Sequence, residues 1–207
     1  MRHVKRAFDV CAALLVLMLL WPLLPLIALA IKLDSPGPVL FHQERIGQYG
    51  RPFRIHKFRT LVAGGEQMGS GYVLEMDDPR VTQVGNVLRR LALDELPQLV
   101  NVLKGEMSIV GPRPTLAYQV ARYDGSQRQR LLVKPGMTGW AWIHGRKELT
   151  WPERIELDVW YVNHWSLGLD MKILWRSIPL LLRGTGVDSP HGPDEISQLT
   201  GGDIRSR

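Results

Sequence analysis

An uncharged stretch of 22 residues, from Val10 to Ile31, constrains the fold more than any other feature of this 207-residue sequence. At about 1.5 Å per residue, a straight helix of this length would cross a hydrocarbon core about 30 Å thick. Pro22 and Pro25 lie inside the stretch, and each removes a backbone hydrogen bond and predicts a break in the helix. Residues 1–31 are therefore predicted to form a proline-kinked membrane helix.

Basic residues flank this stretch on both sides. Arg2, Lys5 and Arg6 precede it, and Lys32 follows it, ahead of a cluster without acidic members: Arg45, Arg51, Arg54, Lys57 and Arg59. Positive charge is retained on the cytoplasmic side of a membrane. A helix that enters and leaves the same face satisfies both flanks, whereas a crossing helix satisfies only one, so re-entry is favoured and crossing stays open. An export signal cleaved near Ala30 is a third hypothesis, but its apolar core would exceed the usual ~7–15 residues.

The composition narrows the class of protein. A formal charge of +6 and a pI near 9.7 indicate an anionic partner, which can be nucleic acid, acidic lipid or a phosphorylated substrate. Nucleic acid is the weakest of these, because the cations lie beside a membrane segment and no nucleic-acid motif is present. The single cysteine, Cys11, excludes an internal disulfide. The length fits one domain, predicted over residues 32–183, with a disordered tail over residues 184–207.

A β-hairpin is predicted for residues 39–60, where β-branched and aromatic residues flank a turn from Gly47 to Pro52. Its cations fit solvated strand positions, acidic lipid headgroups or phosphate binding, and the pattern does not choose among them. The glycine-rich segment 64–78 is predicted to be a mobile loop. Its glycines lack the following Lys and Ser or Thr of a phosphate-binding loop, which excludes a nucleoside triphosphatase of that type.

Two helices are predicted towards the C-terminus. The first begins near Trp151 and Pro152, and the second follows Gly168 and carries a large apolar face together with three cations: Lys172, Arg176 and Arg183. This second helix fits either a position flat on a bilayer or a buried core position. Before these helices, Trp140 and Trp142 alternate as in a short strand.

The stretch LDELPQLVNVLKG, residues 93–105, is predicted to be a short amphipathic helix that ends at Gly105. Asp94 falls near its N-cap and Pro97 in its first turn. The amides and dipole of a helix N-terminus favour an ionised carboxylate and attract phosphate, so Asp94 could act as a nucleophile. The same pattern also fits a structural cap followed by a favourable first-turn acid, Glu95.

The segment SIVGPRP, residues 108–114, cannot form a regular helix, because its two prolines restrict the residues before them to extended conformations. Arg113 is thereby displayed on a stiffened turn. This position suits bidentate recognition of a phosphate, although a lone surface arginine fits the pattern equally.

Taken together, several segments resemble the bacterial sugar transferase family, the small monotopic phosphoglycosyl transferases that act on undecaprenyl phosphate. They are the proline-kinked N-terminal segment, KFRT at residues 57–60, DPRVT at 78–82, LDELPQLVNVLKGEMSIVGPRP at 93–114 and KPGMTGWAWIHGR at 134–146. The resemblance implies a helix-rich α+β fold, with a re-entrant membrane helix, a small globular cytoplasmic domain, a β-hairpin and interfacial amphipathic helices.

The resemblance also implies a reaction. A phospho-sugar would move from a nucleotide diphosphate sugar, usually UDP-linked, to polyprenyl phosphate, with release of UMP, as the first membrane step of glycoconjugate synthesis. Asp94 matches the family's nucleophile, which forms a covalent phospho-sugar intermediate, and Asp94 and Glu95 match its magnesium-associated pair. By motif position, the candidate substrate-binding residues are Arg89 and Arg113, followed by Lys57, Arg59 and Arg146. The implied location is the cytoplasmic face of the bacterial inner membrane.

The sequence departs from the family at three positions. Trp21-Pro22 replaces the common Ser-Pro at the membrane break, and Trp142 and His144 replace the usual Gln and Asn. The sugar and the oligomeric state stay open, a homodimer included. Two other hypotheses also stay open: a non-enzymatic membrane adaptor that binds acidic lipid, and a single-pass membrane phosphohydrolase.

Overall fold

The computed structural model describes residues 2–68, 78–145 and 149–183. Arg146, the tail over residues 184–207 and most of the glycine-rich segment lie outside the described residues, so the predictions made for them stay predictions. The described chain is helix-rich and carries two small two-stranded sheets, in agreement with the predicted α+β class.

Two N-terminal helices meet at a sharp bend. Helix α1 spans Arg2–Leu20 and helix α2 spans Leu23–Asp34, with an angle of 64° between them and Pro22 at the junction. The predicted second break at Pro25 is wrong, because this residue lies in the first turn of α2, where a missing amide has no intrahelical partner. Among the described residues, no single helix is long and apolar enough to cross a membrane, whereas this bent pair meets the requirement jointly.

Both ends of the bent pair are fixed to the same globular domain. Near the start of α1, Lys5 donates to Asp170 at 2.6 Å, and Asp9 accepts hydrogen bonds from Ser108 Oγ and the Ile109 amide at 2.9 and 3.0 Å. At the end of α2, the carboxylate of Asp34 accepts from the Val84 amide at 2.9 Å. The surface near the bend is apolar and exposed, and it includes Leu14, Leu15, Met18, Leu19, Trp21, Leu26 and Leu29.

The predicted hairpin is confirmed. Strand β1 (Leu40–Ile46) pairs antiparallel with strand β2 (Pro52–Phe58), and Gln43 lies opposite Ile55. A 3-10 turn at Gln48–Gly50 joins the strands. Because side chains alternate between the two faces of a strand, the buried Gln43 and the exposed Glu44 point to opposite faces.

Two short segments replace the single helix predicted over residues 93–105, and another helix precedes them. Helix α3 (Gln83–Arg90) leads into Ala92, whose φ of 54° is unusual for a residue other than glycine. A 3-10 helix then spans Leu93–Gln98, and helix α4 spans Leu99–Lys104. The predicted end is confirmed, since Gly105 terminates α4 with a φ of 85°. Asp94 therefore lies in the first turn, near the N-cap residue Ala92 as predicted, but in a 3-10 helix.

The second sheet brings the GPRP turn against the segment that follows Lys134. Strand β3 (Ser108–Val110) pairs in parallel with strand β4 (Gly136–Thr138), and helix α5 (Ala117–Val120) and a 3-10 helix at Gln127–Leu132 lie between them in the chain. The backbones approach so closely that a Cβ on Gly136 would lie 2.1 Å from the Gly111 amide nitrogen. Only glycine fits at that contact.

The strand predicted for Trp140 and Trp142 is wrong. These residues form helix α6 (Trp140–Ile143), in which the Ile143 amide donates to the Gly139 carbonyl at 3.2 Å. Alternation of two tryptophans over so short a stretch does not distinguish a strand from a single helical turn. Trp140 instead stacks on Trp160, with the ring centroids 4.7 Å apart.

The two predicted C-terminal helices are present. Helix α7 spans Trp151–His164 with Pro152 in its first turn, and helix α8 spans Leu167–Arg183. Helix α8 is buried on one face, at Ile173, and exposes Met171, Trp175 and Ile178 on another, so the predicted contact with a bilayer stays a prediction. The largest apolar core lies under the bent pair, where α1 and α2 pack on β2, α3 and α4.

Candidate active site

A cavity of about 670 Å³ collects most of the residues that the sequence singled out. It lies where the hairpin, the 3-10 turn around Asp94, the GPRP turn and helices α1 and α8 meet. Six of the seven predicted catalytic and substrate-binding residues line it: Lys57, Arg59, Arg89, Asp94, Glu95 and Arg113. The seventh, Arg146, lies outside the described residues.

Glu95 is held between two cations. Its Oε1 accepts a hydrogen bond from Lys57 Nζ at 2.6 Å and another from the Arg113 guanidinium at 3.0 Å. Burial alone would raise the pKa of Glu95, but the charges and hydrogen bonds of Lys57 and Arg113 outweigh it and hold the pKa well below its usual range. Glu95 is therefore ionised and fixed in orientation.

Asp94 has a different environment from its neighbour. Within the described part of the chain its carboxylate makes no hydrogen bond, and its nearest cation is Lys57, with Nζ 3.9 Å from Oδ2. Burial raises the pKa of Asp94 above its ordinary value of 3.8, and the charge of Glu95 adds to this, although Lys57, Arg89 and Arg113 oppose it. The sequence predicted that a helix N-terminus would favour the ionised form of Asp94, whereas burial has the larger influence on the pKa of this carboxyl group.

Arg113 is positioned by a buried ion pair that the sequence did not reveal. The guanidinium of Arg130 donates to the Arg113 carbonyl at 3.0 Å and also to the carboxylate of Asp158 and the hydroxyl of Tyr123. Arg130 and Asp158 are each 2% exposed. They lie 28 residues apart in the chain, and no motif signals their pairing.

The side chain of Arg59 contacts the end of helix α2. It is buried, and its guanidinium donates to the carbonyl of Ser35 at 2.8 Å and to those of Ile31 and Pro36. These carbonyls lie at or just after the C-terminal end of α2, where orphan backbone acceptors need partners. Although Arg59 lines the cavity, both terminal nitrogens of its guanidinium donate to the backbone.

Two other polar residues of the cavity were not predicted as site residues. Gln43 and Arg45 lie on the cavity face of β1, and the Arg45 guanidinium donates to the Gln43 side-chain oxygen. In sequence they look like ordinary polar positions of an alternating strand. Their burial is the signal, and it becomes visible only once the hairpin is packed.

One wall of the cavity is apolar. It is formed by Val16 and Leu20 of α1 and by Leu174, Ile178 and Leu181 of α8. The charged residues come from other elements: the hairpin, α3, α7 and the turns around Asp94 and Arg113. The cavity can therefore accommodate a molecule with an anionic part and an apolar part.

The carboxylate pair fits a magnesium ion only if a substrate supplies further ligands. Among the described residues, no group of three or more His, Cys, Asp or Glu side chains is placed to hold a metal. Magnesium, however, is commonly bound by one or two carboxylates together with substrate phosphates and water. Asp94 and Glu95 supply such a pair, and the hydrogen-bond-free carboxylate of Asp94 is the more available of the two.

Comparison with known proteins agrees with this geometry. The family model described as bacterial sugar transferase matches residues 1–184. EpsL of Bacillus subtilis, described as an uncharacterized sugar transferase, is 40% identical over 202 residues, covering 98% of both chains. The undecaprenyl-phosphate glucose phosphotransferase of Komagataeibacter xylinus is 47% identical over 185 residues, covering 84% of this chain and 35% of the relative.

A third relative has the same pattern of partial coverage. The UDP-glucose:undecaprenyl-phosphate glucose-1-phosphate transferase of Escherichia coli is 45% identical over 188 residues, covering 86% of this chain and 40% of the relative. This chain thus spans less than half the length of these two relatives, but nearly all of EpsL. The extent of the family match and these identities show that the chain is an enzyme of the bacterial sugar transferase family.

Proposed function

We propose that this enzyme transfers a phospho-sugar from a nucleotide diphosphate sugar, UDP-linked, to polyprenyl phosphate, by way of a covalent intermediate on Asp94. The names of the K. xylinus and E. coli relatives support the acceptor, and the E. coli name supports the donor. The observation that carries the proposal is the contrast within the carboxylate pair. Glu95 is bound by two cations, whereas Asp94 faces the same cavity without a hydrogen bond.

The proposed reaction has two displacements at one phosphorus atom. An Asp94 oxygen attacks the phosphorus that bears the sugar, and the bond to the nucleoside monophosphate breaks. An oxygen of polyprenyl phosphate then attacks the same phosphorus, and the Asp94 carboxylate leaves. Splitting the transfer in this way lets two bulky anionic substrates use one site in turn.

The surrounding cations have complementary tasks. Lys57 and Arg113 lie beside the carboxylates and would neutralise charge on the phosphoryl oxygens, with Arg89 on the same cavity wall. Glu95 keeps Lys57 and Arg113 in position by accepting from both. Magnesium bound to the carboxylate pair and the diphosphate would supply further charge neutralisation.

The apolar features suit a lipid acceptor. The wall formed by α1 and α8 would receive the polyprenyl chain while its phosphate faces Asp94. The two ends of the bent pair bind one globular domain, which supports a re-entrant arrangement with the domain on the cytoplasmic side. The exposed face of α8 (Met171, Trp175 and Ile178) would lie in the membrane interface.

Trapping the intermediate tests the proposal. The purified protein is incubated with a UDP-sugar and magnesium, without polyprenyl phosphate, and the intact mass is measured. We expect one phospho-sugar to be added at Asp94, with one equivalent of UMP released, and neither event in Asp94→Asn. Release of UMP that continues without the lipid would indicate a hydrolase. An unmodified Asp94 in a protein that turns over at full rate would contradict the covalent mechanism.

A further inference from the structure

Gln43 carries a hydrogen-bond donor with no partner. The residue is 8% exposed, it lines the cavity, and its side-chain nitrogen Nε2 is buried without a hydrogen bond to any described residue. A buried donor of this kind is costly unless something binds to it. The cavity is the place where such a partner would come from.

The orientation of the Gln43 amide follows from its neighbour. The Arg45 guanidinium contacts one end of the amide, and because a guanidinium can only donate, that end must be the oxygen. The amide nitrogen is therefore at the other end. Arg45 is itself attached to the GPRP turn, since its guanidinium also donates to the Pro114 carbonyl at 3.4 Å. The donor of Gln43 is thus fixed before any substrate arrives.

The hairpin register places this donor close to the charged site. Gln43 lies opposite Ile55, and Lys57 is two residues further along β2 on the same face. Such diagonal neighbours are about 7–8 Å apart in an antiparallel pair. Lys57 contacts Asp94 and Glu95, so Gln43 lies on the same face of the hairpin as this cation and lines the same cavity as the carboxylates.

The charge of the site decides what Gln43 can recognise. Lys57 and Arg113 already offer positive charge to phosphate oxygens. With that charge in place, the neutral, fixed amide is suited to a neutral acceptor such as a sugar hydroxyl or a nucleoside oxygen. The nucleotide sugar has such oxygens, whereas polyprenyl phosphate consists of hydrocarbon and phosphate.

We propose that Gln43 is a specificity residue whose Nε2 donates a hydrogen bond to a neutral oxygen of the nucleotide sugar, and that it does not act on the lipid acceptor. The inference rests on the proposed function. Under this inference both substrates use the cations of the cavity, whereas only the nucleotide sugar uses the neutral donor on β1.

Two substitutions at residue 43 test this assignment. Gln43→Met removes both polar ends of the amide, whereas Gln43→Glu keeps the acceptor for Arg45, removes the donor and adds a negative charge that faces the Arg45 guanidinium. We expect both variants to raise the KM for the UDP-sugar about tenfold and to leave the KM for polyprenyl phosphate within about twofold of wild type. Gln43→Glu also covers the case in which Gln43→Met fails to fold. Glu44→Gln, on the exposed opposite face of β1, is the matched control and should leave both values unchanged.

Product inhibition distinguishes the two sources of the neutral oxygen. If the oxygen belongs to the nucleoside, inhibition by UMP should weaken about tenfold in both Gln43 variants. If it belongs to the sugar, inhibition by UMP should be unchanged while the preference among UDP-sugars shifts. Folded variants with a wild-type KM for the UDP-sugar, or with equal losses for both substrates, would overturn the inference. A wild-type chain that releases no UMP from any UDP-sugar would instead overturn the proposed function on which it rests.

Discussion

Two clusters of arginine and carboxylate groups share Arg113 but differ in composition and exposure. The cavity cluster consists of Lys57, Asp94, Glu95 and Arg113, whose side chains are 13–44% exposed. The buried cluster consists of Tyr123, Arg130 and Asp158, and the ion pair between its two charged side chains is 1–2% exposed. The guanidinium of Arg113 belongs to the first cluster, and its carbonyl is bound by the second.

The comparison indicates that the cavity cluster serves the reaction, whereas the buried cluster stabilises the fold. In the buried cluster Arg130 and Asp158 are paired with each other, and Arg130 also donates to Tyr123. In the cavity cluster, Asp94 has no hydrogen bond and the cations are within reach of solvent. Loss of a buried charge partner should therefore affect folding, whereas changes in the cavity cluster should affect turnover.

The largest effect on stability is expected for Arg130→Met. It leaves the Asp158 carboxylate buried and without its cation, and breaking such a pair costs about 3–5 kcal/mol. Urea denaturation measures this loss. Arg122→Met, at an exposed position nearby, should change the free energy of unfolding by less than about 0.5 kcal/mol. Equal stability of the two variants would show that the buried cluster has no structural role.

Glu95→Gln should reduce turnover strongly and stability only moderately. Without the carboxylate, Lys57 and Arg113 lose the group that holds them in place, and we expect kcat to fall about a hundredfold. The loss of stability should be less than half of that in Arg130→Met, because the Arg113 side chain is 44% exposed and reaches water. Steady-state release of UMP and urea denaturation give the two values. Glu156→Gln, an exposed acid on α7, is the control.

The pH dependence of turnover tests whether the ionisation of Asp94 controls the reaction. A nucleophilic Asp94 must be ionised, and burial raises its pKa, so activity should fall on acidification at a higher pH than for an ordinary carboxyl group. Lys57 is the strongest influence that lowers the pKa of Asp94. Lys57→Met should therefore move the acidic limb of the kcat/KM profile to still higher pH. A limb that stays in place would indicate that a group other than Asp94 controls it.

The smallest effect is expected at Ala92, just before the carboxylate pair. Its left-handed conformation, with φ at 54°, costs about 1–2 kcal/mol for a residue with a Cβ. Glycine removes that cost but loses about 0.5–1 kcal/mol through its more flexible unfolded state. Ala92→Gly should therefore stabilise the chain by about 0.5–1 kcal/mol, measured by urea denaturation. Ala121→Gly, at a right-handed helical φ of −60°, should destabilise it instead.

Local patterns predicted the parts of the fold that local forces determine. The hairpin follows from strand residues on both sides of the Gly47–Pro52 turn, and the end of α4 follows from Gly105. The conformation of Ala92 could not be predicted from a local pattern, because alanine has no intrinsic preference for a positive φ. Residues 93–105 were predicted as one helix, but the first six form a 3-10 helix and only Leu99–Lys104 are α-helical.

The candidate site was predicted where motifs carry it and missed where contacts between distant segments create it. Lys57, Asp94, Glu95 and Arg113 do meet in one cavity. Arg59 was grouped with them by its motif, but its contacts with carbonyls near the end of α2 appear only when the chain is folded. The same holds for Arg130 with Asp158, whose pairing spans 28 residues.

Attachment of both ends of the bent pair to one domain has a consequence for the order of events in the cell. In the proposed topology the protein occupies a single leaflet, and its reaction centre cannot be presented to the opposite side. The glycolipid would then be released into the leaflet that supplied its acceptor. Since a charged head with a sugar does not diffuse through hydrocarbon at a useful rate, movement of that product to the outer surface would require a separate flippase.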